Sequence, residues 1–111
     1  MGIQNWSDII ILVNLAEEPY LGEELQTTLT MITEKTEHDV VIDFAGVSMI
    51  TSSSLAKLLK LRKAIQENGH KLILCGVKPQ TKGVLRLTGL DKVFNLVEDQ
   101  FMALAGLQMA N

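Results

Sequence analysis

The sequence predicts an α/β domain in which a mainly parallel sheet of four to five strands is packed with about four helices, spanning residues 1–111 as one unit. Three observations predict it. Short apolar runs rich in β-branched residues alternate along the chain with longer amphipathic segments. Strand and helix signals follow one another as strand, helix, strand, which calls for parallel pairing and right-handed crossovers. No internal repeat, low-complexity stretch or Pro/Gly-rich linker divides the chain.

Each element has its own signal. Ile9-Ile10-Ile11-Leu12-Val13, bounded by Ser7-Asp8 and Asn14, reads as a strand covered on both faces, and the residues before it are expected to form a short edge strand. Pro19-Tyr20-Leu21-Gly22 marks a turn. From Glu23 the apolar positions Leu25, Leu29 and Ile32 give a helix to about Lys35, with acidic residues in its first turn.

Val40-Val41-Ile42-Asp43-Phe44 is the second clear strand. Leu55, Leu58, Leu59, Leu61 and Ile65 form the apolar side of the next helix, Lys57, Lys60, Arg62 and Lys63 solvate the other side, and Asn68-Gly69 stops it. Lys71–Cys75 follows as a strand. Pro79 suits the first position of a short helix carrying Val84, Leu85 and Leu87 and ended by Thr88-Gly89. Val93–Val97 reads as the last strand and Glu98–Met109 as a closing helix.

Composition narrows the function. With 111 residues, 47% of them hydrophobic, the chain can build a core without staples. A net charge of −3 lacks the basic footprint that nucleic acid requires, so no nucleic-acid partner is expected. No apolar run approaches the ~20 residues that span a bilayer. The amino terminus has no charged segment followed by a long apolar one, and Met1–Trp6 lacks the Ser or Thr of a myristoylation signal, so a soluble cytoplasmic protein without membrane insertion is expected. Cys75, the single cysteine, sits in an apolar strand as a core residue.

The most informative stretch runs from Val40 to Leu55, where a buried strand reaches a turn and delivers Thr51-Ser52-Ser53-Ser54 to the mouth of a helix. Hydroxyls there meet free main-chain amides and the positive end of the helix dipole, a place where a phosphate sits at little electrostatic cost. Serine and threonine are also ordinary helix caps, and on composition alone both readings stay open. The chemistry of an enzyme is missing. A nucleophile elbow would place glycines two residues either side of Ser52, but Ile50 and Ser54 stand there. His38 and His70 fall in polar connections at the opposite end of a parallel sheet and read as exposed turn residues. One cysteine and two distant histidines make no metal site, and no phosphate-loop or dinucleotide fingerprint follows any strand, so no cofactor is expected.

The residues also resemble a known family. Ile42-Asp43-Phe44-Ala45-Gly46-Val47, then Thr51-Ser52-Ser53-Ser54-Leu55, then Leu72–Pro79 and Val84-Leu85-Arg86-Leu87-Thr88-Gly89-Leu90-Asp91-Lys92-Val93-Phe94 are similar to the pattern of STAS domains, the fold of bacterial anti-sigma factor antagonists. The family's helix-start aspartate is Thr51 here, its glycine is Ser54, and Leu15-Ala16-Glu17-Glu18-Pro19 replaces its usual Gly-x-Leu/Ile-Asp. The resemblance implies a non-enzymatic switch. Ser52 is then the serine phosphorylated by a partner that is both anti-sigma factor and serine kinase, and a serine phosphatase reverses it. Thr51, Ser52, Ser53, Ser54, Leu55 and Lys57 are then the partner-binding residues. Two alternatives stand beside it: a non-phosphorylated STAS subunit of a transport or signalling complex, and a module that binds a small anionic ligand or nucleotide at the helix start.

Overall fold

The computed structural model describes residues 2–35 and 37–110; Met1, Thr36 and Asn111, which the expected 1–111 span includes, lie outside the described residues. The order of elements is β1 (Gly2–Asn5), β2 (Ile10–Asn14), α1 (Tyr20–Glu34), β3 (Asp39–Asp43), α2 (Ser52–Glu67), β4 (Leu72–Cys75), α3 (Pro79–Leu87), a 3-10 turn (Leu90–Lys92), β5 (Asn95–Val97) and α4 (Gln100–Ala110). The strands form one five-stranded sheet in the order β1-β2-β3-β4-β5. β1 pairs antiparallel with β2, and every other pair is parallel. The expected architecture is thus present, with the edge strand included.

The sheet grows in one direction from β2 to β5. A constant hand of crossover in such a sheet puts every crossover helix on the same face. Leu21, Leu25 and Ile32 of α1, Leu58, Leu61 and Ile65 of α2 and Leu85 of α3 accordingly share one core with Ile11, Val13, Val40, Ile42, Leu72 and Leu74. The opposite parity of the same strands, Ile10, Leu12, Val41, Ile73 and Cys75, packs on Ala103 and Leu107 of α4. Burial on both faces is why these strands read as continuous apolar runs rather than alternating ones.

Element ends differ from the sequence expectation for local reasons. Ile9 lies outside the ladder and is 44% exposed, although its carbonyl accepts from the Asp39 amide at 2.8 Å. α1 starts at Tyr20 rather than Glu23, because the Leu21 amide already reaches the Glu17 carbonyl at 3.2 Å. Val93 and Phe94 are not in β5: both amides donate to Leu90 O, at 3.0 and 3.1 Å, which closes the 3-10 turn and drops Phe94 into the core. Glu98 and Asp99 precede α4. The Glu98 carbonyl accepts from the Gly76 amide, and Asp99 Oδ1 receives the Met102 amide at 2.9 Å as a helix cap.

Two connections, β2–α1 and β3–α2, lie on the carboxyl side of the sheet. Because β2 and β3 are adjacent and parallel, the segments that follow them run side by side. Their bases are joined by the Leu15 amide on Asp43 O at 3.0 Å. The Phe44 amide reaches Cys75 O at 2.9 Å, and Phe44, Val47 and Ile50 sink into the core, so β3–α2 is held from below. Gly76, at φ +64°, lies so close that a Cβ there would meet Asp43 Oδ1 at 2.7 Å.

Candidate functional site: the start of helix α2

Thr51 is the N-cap of α2, extended at φ −82° and ψ 160°, and its Oγ1 accepts from the Ser54 amide at 3.1 Å. The Leu55 amide donates to Thr51 O at 2.9 Å and opens the helical ladder. Such a cap is worth ~1 kcal/mol. It accounts for one hydroxyl of the four.

The hydroxyl of Ser54 points the other way. Ser54 is 3% exposed, and its Oγ donates to Glu18 Oε1 at 3.1 Å. The second oxygen of the same carboxylate accepts from the Thr51 amide at 2.9 Å. One step back, Glu17 Oε1 accepts from the Ser48 amide at 2.7 Å and its other oxygen receives the Ser48 hydroxyl. Glu24 folds back onto the Ala16 amide at 2.7 Å and closes the β2–α1 segment on itself. Glu17 and Glu18 thus bolt the two connections together.

The electrostatics follow from those bonds. For Glu17 the Ser48 hydroxyl, then the Ser48 amide, hold the carboxyl below the ordinary value of 4.5, and Lys78 adds to the effect. For Glu18 partial burial pushes upward, but the hydrogen bonds from the Thr51 amide and the Ser54 hydroxyl outweigh it, and the net direction is again down. Both side chains are therefore anions at neutral pH, and Glu18 is placed where the α2 dipole favours a negative charge.

Ser52 and Ser53 are what remain. Both are exposed, neither hydroxyl is tied to another group, and their main-chain amides are the first-turn donors left without a protein acceptor among the described residues. Beside them Met49 is 67% exposed, next to a groove of about 360 Å³ lined by Ser48, Met49, Ile50, Gln80, Thr81 and Val84. Leu55 is half-buried against the core. Lys57 does not simply solvate the helix: its Nζ lies 3.5 Å from Gly22 O, against α1. The larger cavity, about 770 Å³, is at the far end of the sheet and contains none of the serine-run residues.

The histidines sit away from the serines, as expected, but His70 is not a free turn residue. Its Nδ1 is 3.2 Å from Oδ1 of the buried Asp39, which also accepts the Lys71 amide, so it closes the start of β3 and β4. Among the described residues no group of His, Cys, Asp and Glu is placed to hold a metal. Burial, then Asp43 and Asp99, pushes the Cys75 thiol up to about 12. No helix among the described residues is long and apolar enough to cross a membrane.

The site residues that sequence reasoning missed are Glu17, Glu18 and Glu24. Two adjacent carboxylates in a connection directly after a parallel strand were the available signal. Reading it required knowing that β2 and β3 are neighbours.

With this geometry in place, comparison with known proteins decides the family: residues 22–101 match the model of the STAS domain. The chain belongs to the STAS domain family. Among curated relatives, the anti-sigma-B factor antagonist of Staphylococcus epidermidis is 28% identical over 79 residues, covering 71% of this chain and 73% of that one. A solved anti-sigma-factor antagonist (STAS) domain protein from Planctomyces limnophilus is 25% identical, covers 98% of this chain and 97% of its own, and superposes with a TM-score of 0.77. The anti-sigma factor antagonist SpoIIAA shares the fold. Its unphosphorylated form is 15% identical, with 96% and 95% coverage and a TM-score of 0.82; its phosphorylated form, from Bacillus, is 13% identical, with 96% and 97% coverage and 0.74. The chain is thus a STAS domain whose fold is like that of the anti-sigma factor antagonists it matches.

Proposed function

We propose that this STAS domain is a cytoplasmic, non-enzymatic regulator that binds an anti-sigma factor with serine kinase activity through the α2 start, and is switched off by phosphorylation of Ser52. One observation carries the reading. Of the four hydroxyls in Thr51–Ser54, the first serves as cap acceptor and the last is held by Glu18, which leaves Ser52 and Ser53 open to a visiting enzyme. The family resemblance favours Ser52, which directly follows the helix-start residue. The partner surface comprises Thr51, Ser52, Ser53, Leu55 and Lys57 with the exposed Met49; Ser54, although part of the expected partner surface, contributes from within by holding Glu18.

In the proposed reaction the Ser52 hydroxyl attacks the γ-phosphorus of ATP bound to the kinase. An O–P bond forms, the bond to the β-phosphate oxygen breaks, ADP leaves and the hydroxyl proton passes to a base of the kinase. The product carries about 1.5 to 2 negative charges at a helix amino terminus, where they are tolerated, so the domain stays folded. Against a partner the same charge is desolvated and repelled, and each 1.4 kcal/mol of that penalty lowers affinity tenfold. A serine phosphatase restores binding.

The test is a kinase assay with candidate anti-sigma kinases and ATP, followed by site mapping by mass spectrometry and a pull-down. Phosphate on Ser52 is expected, with Ser52→Ala retaining the kinase and Ser52→Asp losing it at nearly unchanged Tm. Modification confined to Ser53 or Thr51 would refute the assignment. A chain that binds partners but is never modified would instead be a constitutive subunit of a transport or signalling complex. Binding of a free anion or nucleotide at the α2 start is disfavoured by the Glu18 carboxylate already there.

A further inference from the structure

The β2–α1 segment is bolted to the α2 start by side chains alone, above the single main-chain bond at Leu15. Glu18 contacts the residues on both sides of the Ser52-Ser53 pair, taking the Thr51 amide with one oxygen and the Ser54 hydroxyl with the other. It reaches there from 33 residues away in sequence. A glutamate held this way is a tether on several rotatable bonds, and nothing covalent keeps it in place. Ser54 is turned inward, and Gly22, which has no side chain, leaves room for its hydroxyl between α1 and α2.

A carboxylate and a phosphate compete for the same thing at a helix start: unpaired amides and the positive end of the dipole. We propose that Glu18 is the resident anion of the α2 start in the unmodified protein, and that a phosphate on Ser52 evicts it and frees the β2–α1 segment from β3–α2. This rests on Ser52 being the modified residue. The phosphate prevails because it carries the larger charge and is covalently attached beside the free Ser52 and Ser53 amides, so its effective concentration there is high. Two cations face the region: Lys57, 3.5 Å from Gly22 O, and Lys78, near Glu17. The consequence is that modification loosens the segment beside the docking surface as well as adding charge to it.

The experiment installs phosphoserine at position 52 during translation by stop-codon suppression, so no kinase is needed. Amide hydrogen exchange is read at Thr51 and Ser48, and the Glu18 side-chain carboxyl is titrated by carbon NMR. In the unmodified chain both amides are protected. Phosphoserine is expected to speed exchange at Thr51 by about tenfold or more, with a smaller rise at Ser48, and to move Glu18 back up toward an ordinary carboxylate. In a Glu18→Gln chain, checked for an unchanged circular dichroism spectrum, the phosphate should add little, since a neutral amide is not repelled. The titration needs no variant and keeps the test valid if that chain does not fold. Equal Thr51 exchange and equal Glu18 titration with serine and phosphoserine would overturn the proposal, as would the same acceleration in Glu18→Gln. A Ser52 that no kinase modifies ends the phosphoswitch reading alone, because here the phosphate is installed without one.

Discussion

Ser54 stands where the family pattern has glycine, and Gly22 is the residue that makes room for it. A Cβ at Gly22 would approach Ser54 Oγ to 3.2 Å, closer than ordinary van der Waals contact, and would lie 3.4 Å from Lys57 Nζ. The side chain of Ser54 fits beside the bare Gly22, and its hydroxyl has a carboxylate partner. Thr51, in place of the family's aspartate, caps without charge, while Glu18 brings a negative charge to the same helix end from another segment. At Cys75 the environment silences the thiol: it is fully buried, and its pKa stands at about 12. Only the thiolate reacts with disulfide reagents. Cys75 should therefore resist a chromogenic disulfide reagent at pH 8 in the native protein and label promptly in denaturant. Prompt native labelling would mean that β4 is open to solvent.

At the scale of elements, the clasp between β2–α1 and β3–α2 makes a pH prediction whose sign is set by the shifts. Glu17 and Glu18 are both held below their ordinary 4.5, so the unfolded chain takes up protons first as pH falls. Their contribution is present in full above about 4.5 and is lost as pH drops through the lower folded values. Denaturant midpoints measured at pH 5 and pH 3 should show a larger loss for the wild type than for the Glu17→Gln/Glu18→Gln chain. An identical loss in both would show that the carboxylates contribute nothing as anions. Legibility varied among elements for physical reasons. α2 was readable because its periodic leucines, its cap and its Asn-Gly stop all agree. β5 was overextended because Val93 and Phe94 look like strand residues, while their amides are consumed locally by the 3-10 turn. The serine run is legible as a candidate site at a helix start; its acidic partners are not, since a clasp between two connections leaves no periodic trace.

At the scale of the molecule, the two faces of the sheet are unequal. Three helices cover one face and α4 alone covers the other, with Phe101 and Met109 of α4 exposed at 78% and 87%. Truncating a residue in the larger core should be costly and truncating an exposed one should not. Leu58→Ala, at a side chain 1% exposed, should lose about 2–5 kcal/mol, whereas Met109→Ala should stay within about 0.5 kcal/mol. Equilibrium unfolding in urea checks both. A neutral Leu58→Ala would mean that the packing of α2 on the sheet is looser than its burial implies.

What the residues alone determined was the class of fold, the order of its elements and the place of the hydroxyls at a helix start, because hydrophobic period, capping chemistry and turn residues are local properties of the chain. What only the tertiary structure decided was which of those hydroxyls are free. That depends on Glu18 arriving from a connection more than thirty residues distant, brought alongside by the parallel pairing of β2 and β3. A carboxylate chooses its hydrogen-bond donors by proximity in space, and no spacing along the sequence encodes that choice.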